Sequence, residues 1–288
     1  MSSTLLQVIA GGLLLGAVYA LFSSGLTLIW GMMNVINFAH GDFVMLGMYV
    51  AFVVWTVTGA GPAAAVPIAA VLLASLGVVC YFVLIRHVMR GPMLAQILGT
   101  FGLALFVRYA ALWYFGTQFR TLPENLVGGT LVIGPLRIEA SRLLAGAVAL
   151  AVTAGLHLLV TRTTLGSRML AVAEDATAAE LMGIRPERMQ AIAWGLALGA
   201  TGIAGALIAN FFYVAPTAGE TLAIVAFVTV ALGGFGSIEG ALVAGLVIGV
   251  IESLSAYLIG PVYKDIAVYA LFVLALWLRP HGLMGRTS

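Results

Sequence analysis

The sequence predicts an all-α, polytopic membrane protein with about eight or nine transmembrane helices, two of its apolar segments interrupted by glycine. Three observations predict it. The chain has 288 residues, of which 62% are hydrophobic and only 8% charged, with a mean hydropathy of +1.12. Soluble domains carry roughly 25% charged residues, so a fold solvated by water is excluded. The apolar runs recur at lengths near the ~20 residues a spanning helix needs. The 35 glycines suit close helix packing in lipid, where small residues let backbones approach.

The first apolar run extends from Thr4 to Met33 and is read as a transmembrane helix retained in the mature protein, because it lacks a basic leading segment and is too long for a signal peptide. Gly12 and Gly16 form a small-xxx-small pair on it. A polar break, Asn34-Val35-Ile36-Asn37-Phe38-Ala39-His40-Gly41-Asp42, separates it from a second run, Phe43–Thr58. After Gly59, Gly61 and Pro62 a third run reaches Ile85 and stops at Arg86, His87 and Arg90. The fourth, Met93–Phe115, contains one charge, Arg108.

Residues 116–142 are rich in turn and β-branched residues and are expected to form an extramembrane loop with a short hairpin. A fifth span covers Leu143–Val160 and a sixth Ile192–Phe212. Two further apolar pieces are hinged at Gly233, Gly234 and Gly236, and the last span is Ile266–Leu278. The whole chain, 1–288, reads as one transmembrane domain.

Orientation follows from the basic residues. If the charged interval 162–190 is cytoplasmic, Arg86, Arg90, Arg162, Arg168, Arg185, Arg188, Arg279 and Arg286 lie inside. Arg120, Arg137, Arg142 and Lys264 then lie outside. This places the N-terminus outside, the C-terminus in the cytoplasm and the 116–142 loop on the extracytoplasmic face. The segment around Asn34–Asp42 faintly echoes the one around Gly233–Ser237, and under this topology both breaks lie toward the cytoplasm.

Between Thr161 and Ala191 the charges crowd together: Arg162, Arg168, Glu174, Asp175, Glu180, Arg185, Glu187 and Arg188. Thr177 and Glu180 fit a capping box, with Asp175 the alternative N-cap. Gly183 suits a left-handed C-terminal stop and Pro186 the first turn of the next helix. The expected product is a short cytoplasmic helix with an Ala/Leu/Met face, either a bland loop helix or a docking element.

Two groups of polar residues lie at membrane depth. Of Asn34, Asn37, His40 and Asp42, either Asn37 or Asp42 simply caps the second helix, or the break as a whole lines the inner end of the pathway or its gate. Arg108 and Glu252, both placed past the bilayer middle toward the outer side, are expected to face each other or a shared wet cavity, unless Arg108 snorkels outward. His157 reads as a packing residue. Cys80, the single cysteine, gives neither a disulfide nor a thiolate metal cluster. No metal site, cofactor or catalytic constellation is expected, and a net charge of +2 gives no reason to expect nucleic acid. No G-x-x-x-x-G-K-[ST] loop exists, so any ATP-derived work must come from another polypeptide.

Four ordered stretches carry a resemblance. These are INFAHGDFVMLGMY, LGSRMLAVAEDATAAELMGIRPERMQAIAW, ALGGFGSIEGALVAGLVIGVIESL and the ending with Tyr263-Lys264-Asp265 and Arg279-Pro280-His281-Gly282-Leu283. Together they resemble the permease subunits of branched-chain amino-acid ABC importers, H-type rather than M-type. The likeness covers most of the chain and is weak between Gly116 and Arg142.

The resemblance implies an inner-membrane subunit in contact with membrane lipid. Its partners would be a second, M-type permease, two cytoplasmic ATPase subunits and an extracytoplasmic substrate-binding protein. It also implies that Glu174–Ile184 is the coupling helix, with Glu174, Asp175, Ala178, Ala179, Glu180 and Gly183 meeting the ATPase. The segment lacks a tidy Glu-Ala-Ala triplet. A urea or short-amide permease, and a self-sufficient channel or secondary transporter, are the competing readings.

Overall fold

The computed structural model describes residues 2–59, 62–122, 128–134, 136–278 and 282–284. It is an all-α polytopic membrane protein. Seven described helices are long and apolar enough to cross a membrane. In order, α1 is Ser2–Met33, α2 His40–Thr58 and α3 Pro62–Cys80, the last continued by a π-helical turn, Tyr81–Ile85, and a final turn, α4, Arg86–Val88. Next come α5 (Met93–Phe115), the strands β1 (Thr130–Ile133) and β2 (Leu136–Glu139), and α6 (Ala140–Arg162). Two short helices, α7 (Thr164–Glu174) and α8 (Ala176–Leu181), lead to α9 (Pro186–Ile208). The chain then forms α10 (Ala218–Gly233), α11 (Ile238–Leu258) and α12 (Lys264–Leu278).

At the centre stands α9, buried along most of its length from Ala191 to Ile208. Its Ala and Gly residues leave no long side chains on several faces, so neighbouring helices come into backbone contact. Helix α3 runs antiparallel along it, with Gly77 against Trp194 and Gly202 against Ala69. Helices α1 and α11 form a second antiparallel pair. A Cβ on Gly12 would lie 2.8 Å from the Gly249 carbonyl oxygen, and one on Gly16 would lie 2.5 Å from that of Gly245. The expected Gly12/Gly16 packing pair therefore faces α11, where van der Waals contact does the work that water exclusion does in soluble cores.

The bundle has two distinct ends. At one, Gln7 donates through Nε2 to the Arg137 carbonyl of the β1–β2 hairpin at 2.9 Å. Arg120 and Val214 pair their backbones there too, with N···O distances of 3.0 and 2.8 Å. The hairpin is antiparallel, Thr130 opposite Glu139 and Ile133 opposite Leu136, as the 116–142 composition predicts. At the other end lie α7, α8 and the α10–α11 break. The Leu283 and Met284 amides reach the Leu232 and Gly233 carbonyls there, at 2.8 and 2.9 Å. Those amides satisfy carbonyls that the end of α10 would otherwise leave open.

Arg86, Arg90, Arg162, Arg168, Arg185 and Arg188 belong to the α7–α8 end by their elements. Arg120, Arg137, Arg142 and Lys264 belong to the hairpin end, so the expected basic asymmetry is reproduced in space. Arg279 and Arg286 lie outside the described residues. Both glycine-hinged pieces are helices, 16 and 21 residues long. The chain breaks between them: α10 stops at Gly233, and Gly234 and Gly236 take φ of 104° and 83°, values that favour glycine.

The expected loop 162–190 is mostly helix. Thr163 caps α7 by accepting from the Gly166 amide at 3.1 Å. Gly166 packs onto the Leu159 and Val160 carbonyls, so α7 folds straight back against the end of α6. Leu28, Met32, Leu156, Met169, Val172, Ala179, Met189 and Ile238 gather there in a small core of their own. The α7–α8 unit is thereby fixed to the ends of α1, α6, α9 and α11.

Candidate functional site

The first break does not stay at the end of α1. Asn34 takes φ of +53°, which reverses the chain, and Asn37 holds the turn by accepting from the Ala39 amide through Oδ1 at 3.1 Å. The chain then climbs back into the bundle. His40, the first residue of α2, sets Nε2 2.7 Å from the Phe22 carbonyl oxygen, which is about 16 Å up α1 from Met33 at 1.5 Å per residue. The expectation that His40 and Asp42 mark the inner end of a pathway is therefore corrected. Asn34 sits at the end of α1, but the break re-enters, and α2 starts deep. Neither side-chain cap is realised, because Ala39 occupies the cap position without a side-chain bond.

Asp42 meets Arg108 of α5. The guanidinium donates from Nε to Oδ1 at 3.0 Å and from Nη2 to Oδ2 at 3.3 Å. Its third nitrogen, Nη1, reaches Glu220 Oε2 at 3.1 Å. Asp42 is in the first turn of α2 and Glu220 in the first turn of α10. Two helix N-termini thus meet, with Gly41 and Gly219 letting the backbones touch. Each carboxylate gains from the partial positive charge of its helix start, and Arg108 bridges the two while offsetting one of their two negative charges.

The expected Arg108–Glu252 pairing is overturned, and so is the snorkelling alternative. Glu252 is buried against α1, where it accepts from Tyr19 Oη at 2.8 Å and pairs with the Lys264 ammonium at the start of α12. The reason is topological. Helix α5 packs on the α2 side of the bundle and α11 on the α1 side, so equal depth does not bring the two charges together. Glu220, Tyr19 and Lys264 are site residues that the sequence reading missed. For Glu220 the available signal was an acid in the first turn of an apolar helix.

His157, read as a packing residue, lies 3.4 Å from Glu239 of α11. Asn37 and His40 are fully buried, and Asn37 Nδ2 and His40 Nδ1 have no hydrogen-bond partner among the described residues. No group of three or more His, Cys, Asp or Glu side chains is placed to hold a metal ion among those residues.

At the α7–α8 end, Asp175 wins the capping contest. Its Oδ1 accepts from the Thr177 and Ala178 amides, both at 2.9 Å, and the Thr177–Glu180 box does not form. Glu174 is the last residue of α7 and not part of the short helix. Gly183 takes φ of +80°, and the Ile184 amide closes back to the Ala179 carbonyl at 3.0 Å, a Schellman stop. Pro186 occupies the start of α9 as expected. Ala179 faces the protein, while Leu181 and Met182 are 85% and 82% exposed. Beside them lies a concavity of about 560 Å³ lined by Arg168, Met182, Gly183, Arg185 and Arg188.

Discontinuous helices that meet inside the bundle, with a rigid helical projection at one end, define the class: a multi-span membrane permease. Comparison with known families makes this specific. Residues 8–276 match the family model described as branched-chain amino acid transport system / permease component, and the chain belongs to that family.

The high-affinity branched-chain amino acid transport system permease protein BraD of Pseudomonas aeruginosa is 32% identical, over 98% of this chain and 96% of its own. The permease LivH of Escherichia coli, whose name describes the same system, is also 32% identical with the same coverage. A probable LivH of Methanocaldococcus jannaschii is 26% identical over 97% and 92%. Among solved structures, PsaBC from Streptococcus pneumoniae in complex with Fab matches with a TM-score of 0.54, over 98% of this chain and 97% of that one. At 10% identity this likeness shows the fold alone.

Proposed function

We propose that this chain is the H-type permease subunit of an ATP-binding-cassette importer for branched-chain amino acids, with no catalytic activity of its own. In this reading a second, M-type permease completes the translocation unit. Two ATPase subunits bind in the cytoplasm, and an extracytoplasmic binding protein delivers leucine, isoleucine or valine. The names of the relatives support the substrate. The hairpin end then faces outward and the α7–α8 end the cytoplasm, in agreement with the basic residues.

One observation carries the ATPase-driven reading over a stand-alone channel. The tip of α8 presents Leu181 and Met182 to solvent at a place fixed to four spans. A bare apolar pair on a rigid, capped projection is what a partner groove receives, and the neighbouring Arg168, Arg185 and Arg188 suit an acidic rim. Asp175, Ala178, Ala179, Glu180 and Gly183 shape this element, and Glu174 joins it to α7.

The pathway is proposed to run past the deep start of α2 and the Asp42–Arg108–Glu220 cluster, with the Gly233–Gly236 hinge at its inner end. Glu220 is two-thirds exposed. A carboxylate at this depth is not tolerated against lipid and calls for water or protein. Glu252 is reassigned to holding α12 against α1 and α11.

Co-purification tests the reading. Wild-type chain should retain the second permease and an ATPase, and Leu181→Asp/Met182→Asp should lose the ATPase alone. Retention by the double variant would sink the docking assignment. Uptake without any ATPase would favour the channel. Uptake of urea or short amides with no uptake of leucine would move the substrate to the related class.

A further inference from the structure

Arg108 divides its guanidinium unequally. Asp42 is fully buried and takes two nitrogens, so it fixes the plane of the group. Glu220 takes the remaining nitrogen, Nη1, through one bond of 3.1 Å, from a side chain 67% exposed. We propose that the Arg108–Glu220 arm is a resident stand-in for a zwitterion, and that an α-amino acid in transit replaces it. The substrate carboxylate takes Arg108 Nη1, and the substrate ammonium takes the Glu220 carboxylate. This rests on the transport reading above and adds Glu220 as a substrate-contacting residue, Asp42 as a positioning residue and a charge pattern for the cargo.

The chemistry fits on both sides. A guanidinium presents five donors in a planar fork. With Asp42 on Nε and Nη2, the open edge at Nη1 is aimed at whatever anion stands where Glu220 now stands. An α-amino acid carries its two charges on neighbouring groups, in the order that a split Arg–Glu pair presents. The first turns of α2 and α10 also offer their positive ends to an incoming carboxylate.

The exchange costs little because the arm being replaced is the exposed one. An ion pair open to solvent contributes almost nothing net, whereas displacing Asp42 would strand a buried charge. A pathway needs a site that is favourable to enter and easy to leave, and a pair-for-pair swap has that property. Urea or a short amide brings no charges to exchange, so the arm would stay closed to them.

The complete transporter in proteoliposomes, with second permease, ATPases and binding protein, tests this through the amount of leucine moved per ATP hydrolysed. Glu220→Gln is expected to lower that ratio about ten-fold, the factor that losing one charge-assisted hydrogen bond gives. Glu220→Asp should restore most of it. A purely structural role would lower uptake and hydrolysis together and leave the ratio unchanged. An unchanged ratio in Glu220→Gln, whatever the absolute rates, overturns the proposal. Absence of leucine uptake by the wild-type assembly would instead overturn the transport reading on which it rests.

Discussion

Arg108 grips Asp42 through two nitrogens, Nε at 3.0 Å and Nη2 at 3.3 Å, and the carboxylate between them is fully buried. The contact joins α5, otherwise a peripheral helix with Phe106, Tyr109 and Trp113 exposed, to the deep start of α2. Asp42→Ala should therefore release α5 from the start of α2 while leaving Arg108 its one bond to Glu220, and cost less than the roughly 3 kcal/mol of a buried pair broken to a lone charge. Thermal unfolding of detergent-solubilised protein measures this. The double variant Asp42→Ala/Arg108→Ala should be closer to wild type than Asp42→Ala alone.

Lys264 and Glu252 make the second internal pair, with the Tyr19 hydroxyl on the other carboxylate oxygen. Lys264→Ala leaves a buried carboxylate with a tyrosine as its remaining hydrogen-bond partner. It should loosen α12 from the bundle, seen as faster protease cleavage between Leu258 and Lys264. Adding Glu252→Gln should reverse part of that change, and equal cleavage in single and double variants would argue against the coupling.

The short helix α8 depends on one residue for its start. Asp175→Ala removes the acceptor for two amides, which typically costs about 1 kcal/mol of helix stability. Asp175→Asn or Asp175→Ser, which keep a capping oxygen, should bind the ATPase as wild type does in a pull-down, while Asp175→Ala should bind more weakly.

Helix α1 tolerates change on one face and not on the other. Gly16→Leu puts side-chain atoms into the α11 backbone and should abolish a monodisperse peak in size-exclusion chromatography. Gly11, where an added Cβ meets nothing within 4 Å, should accept alanine with unchanged elution and slightly raised stability, since glycine costs about 0.5–1 kcal/mol relative to alanine inside a helix.

Asn37 and His40 hold the re-entrant break through the Ala39 amide and the Phe22 carbonyl. Asn37→Ala and His40→Ala should each slow leucine uptake at matched expression. Wild-type rates in both variants would remove the break from the transport cycle.

Much of this architecture was legible in the sequence, for identifiable reasons. Lipid solvent demands long apolar helices, so spans announce themselves as runs, and even the hairpin showed as a gap in them. Local backbone rules act over three or four residues, so the left-handed stop at Gly183, the proline start at Pro186 and the glycine break at Gly233–Gly236 were all anticipated. Asp175 and Thr177 offered equivalent local caps. Only the packing of Ala179 and Met189 beneath α8 goes with the choice of Asp175.

The charge pairs were another matter. Depth along a helix follows from counting residues, and counting put Arg108 and Glu252 at similar depths. It does not give the azimuth of one helix around another: Arg108 meets α2 at Asp42, whereas Glu252 meets α1 at Tyr19. A polar break likewise signals that a helix is interrupted without telling whether the chain stays at the surface or climbs back in. The sequence alone determined that this is a membrane-spanning bundle with a charged projection and no phosphate loop. The tertiary structure alone decided that Asp42, Arg108 and Glu220 meet. Pairing across a bundle depends on which small residues let which helices touch, and that is a property of the packed whole.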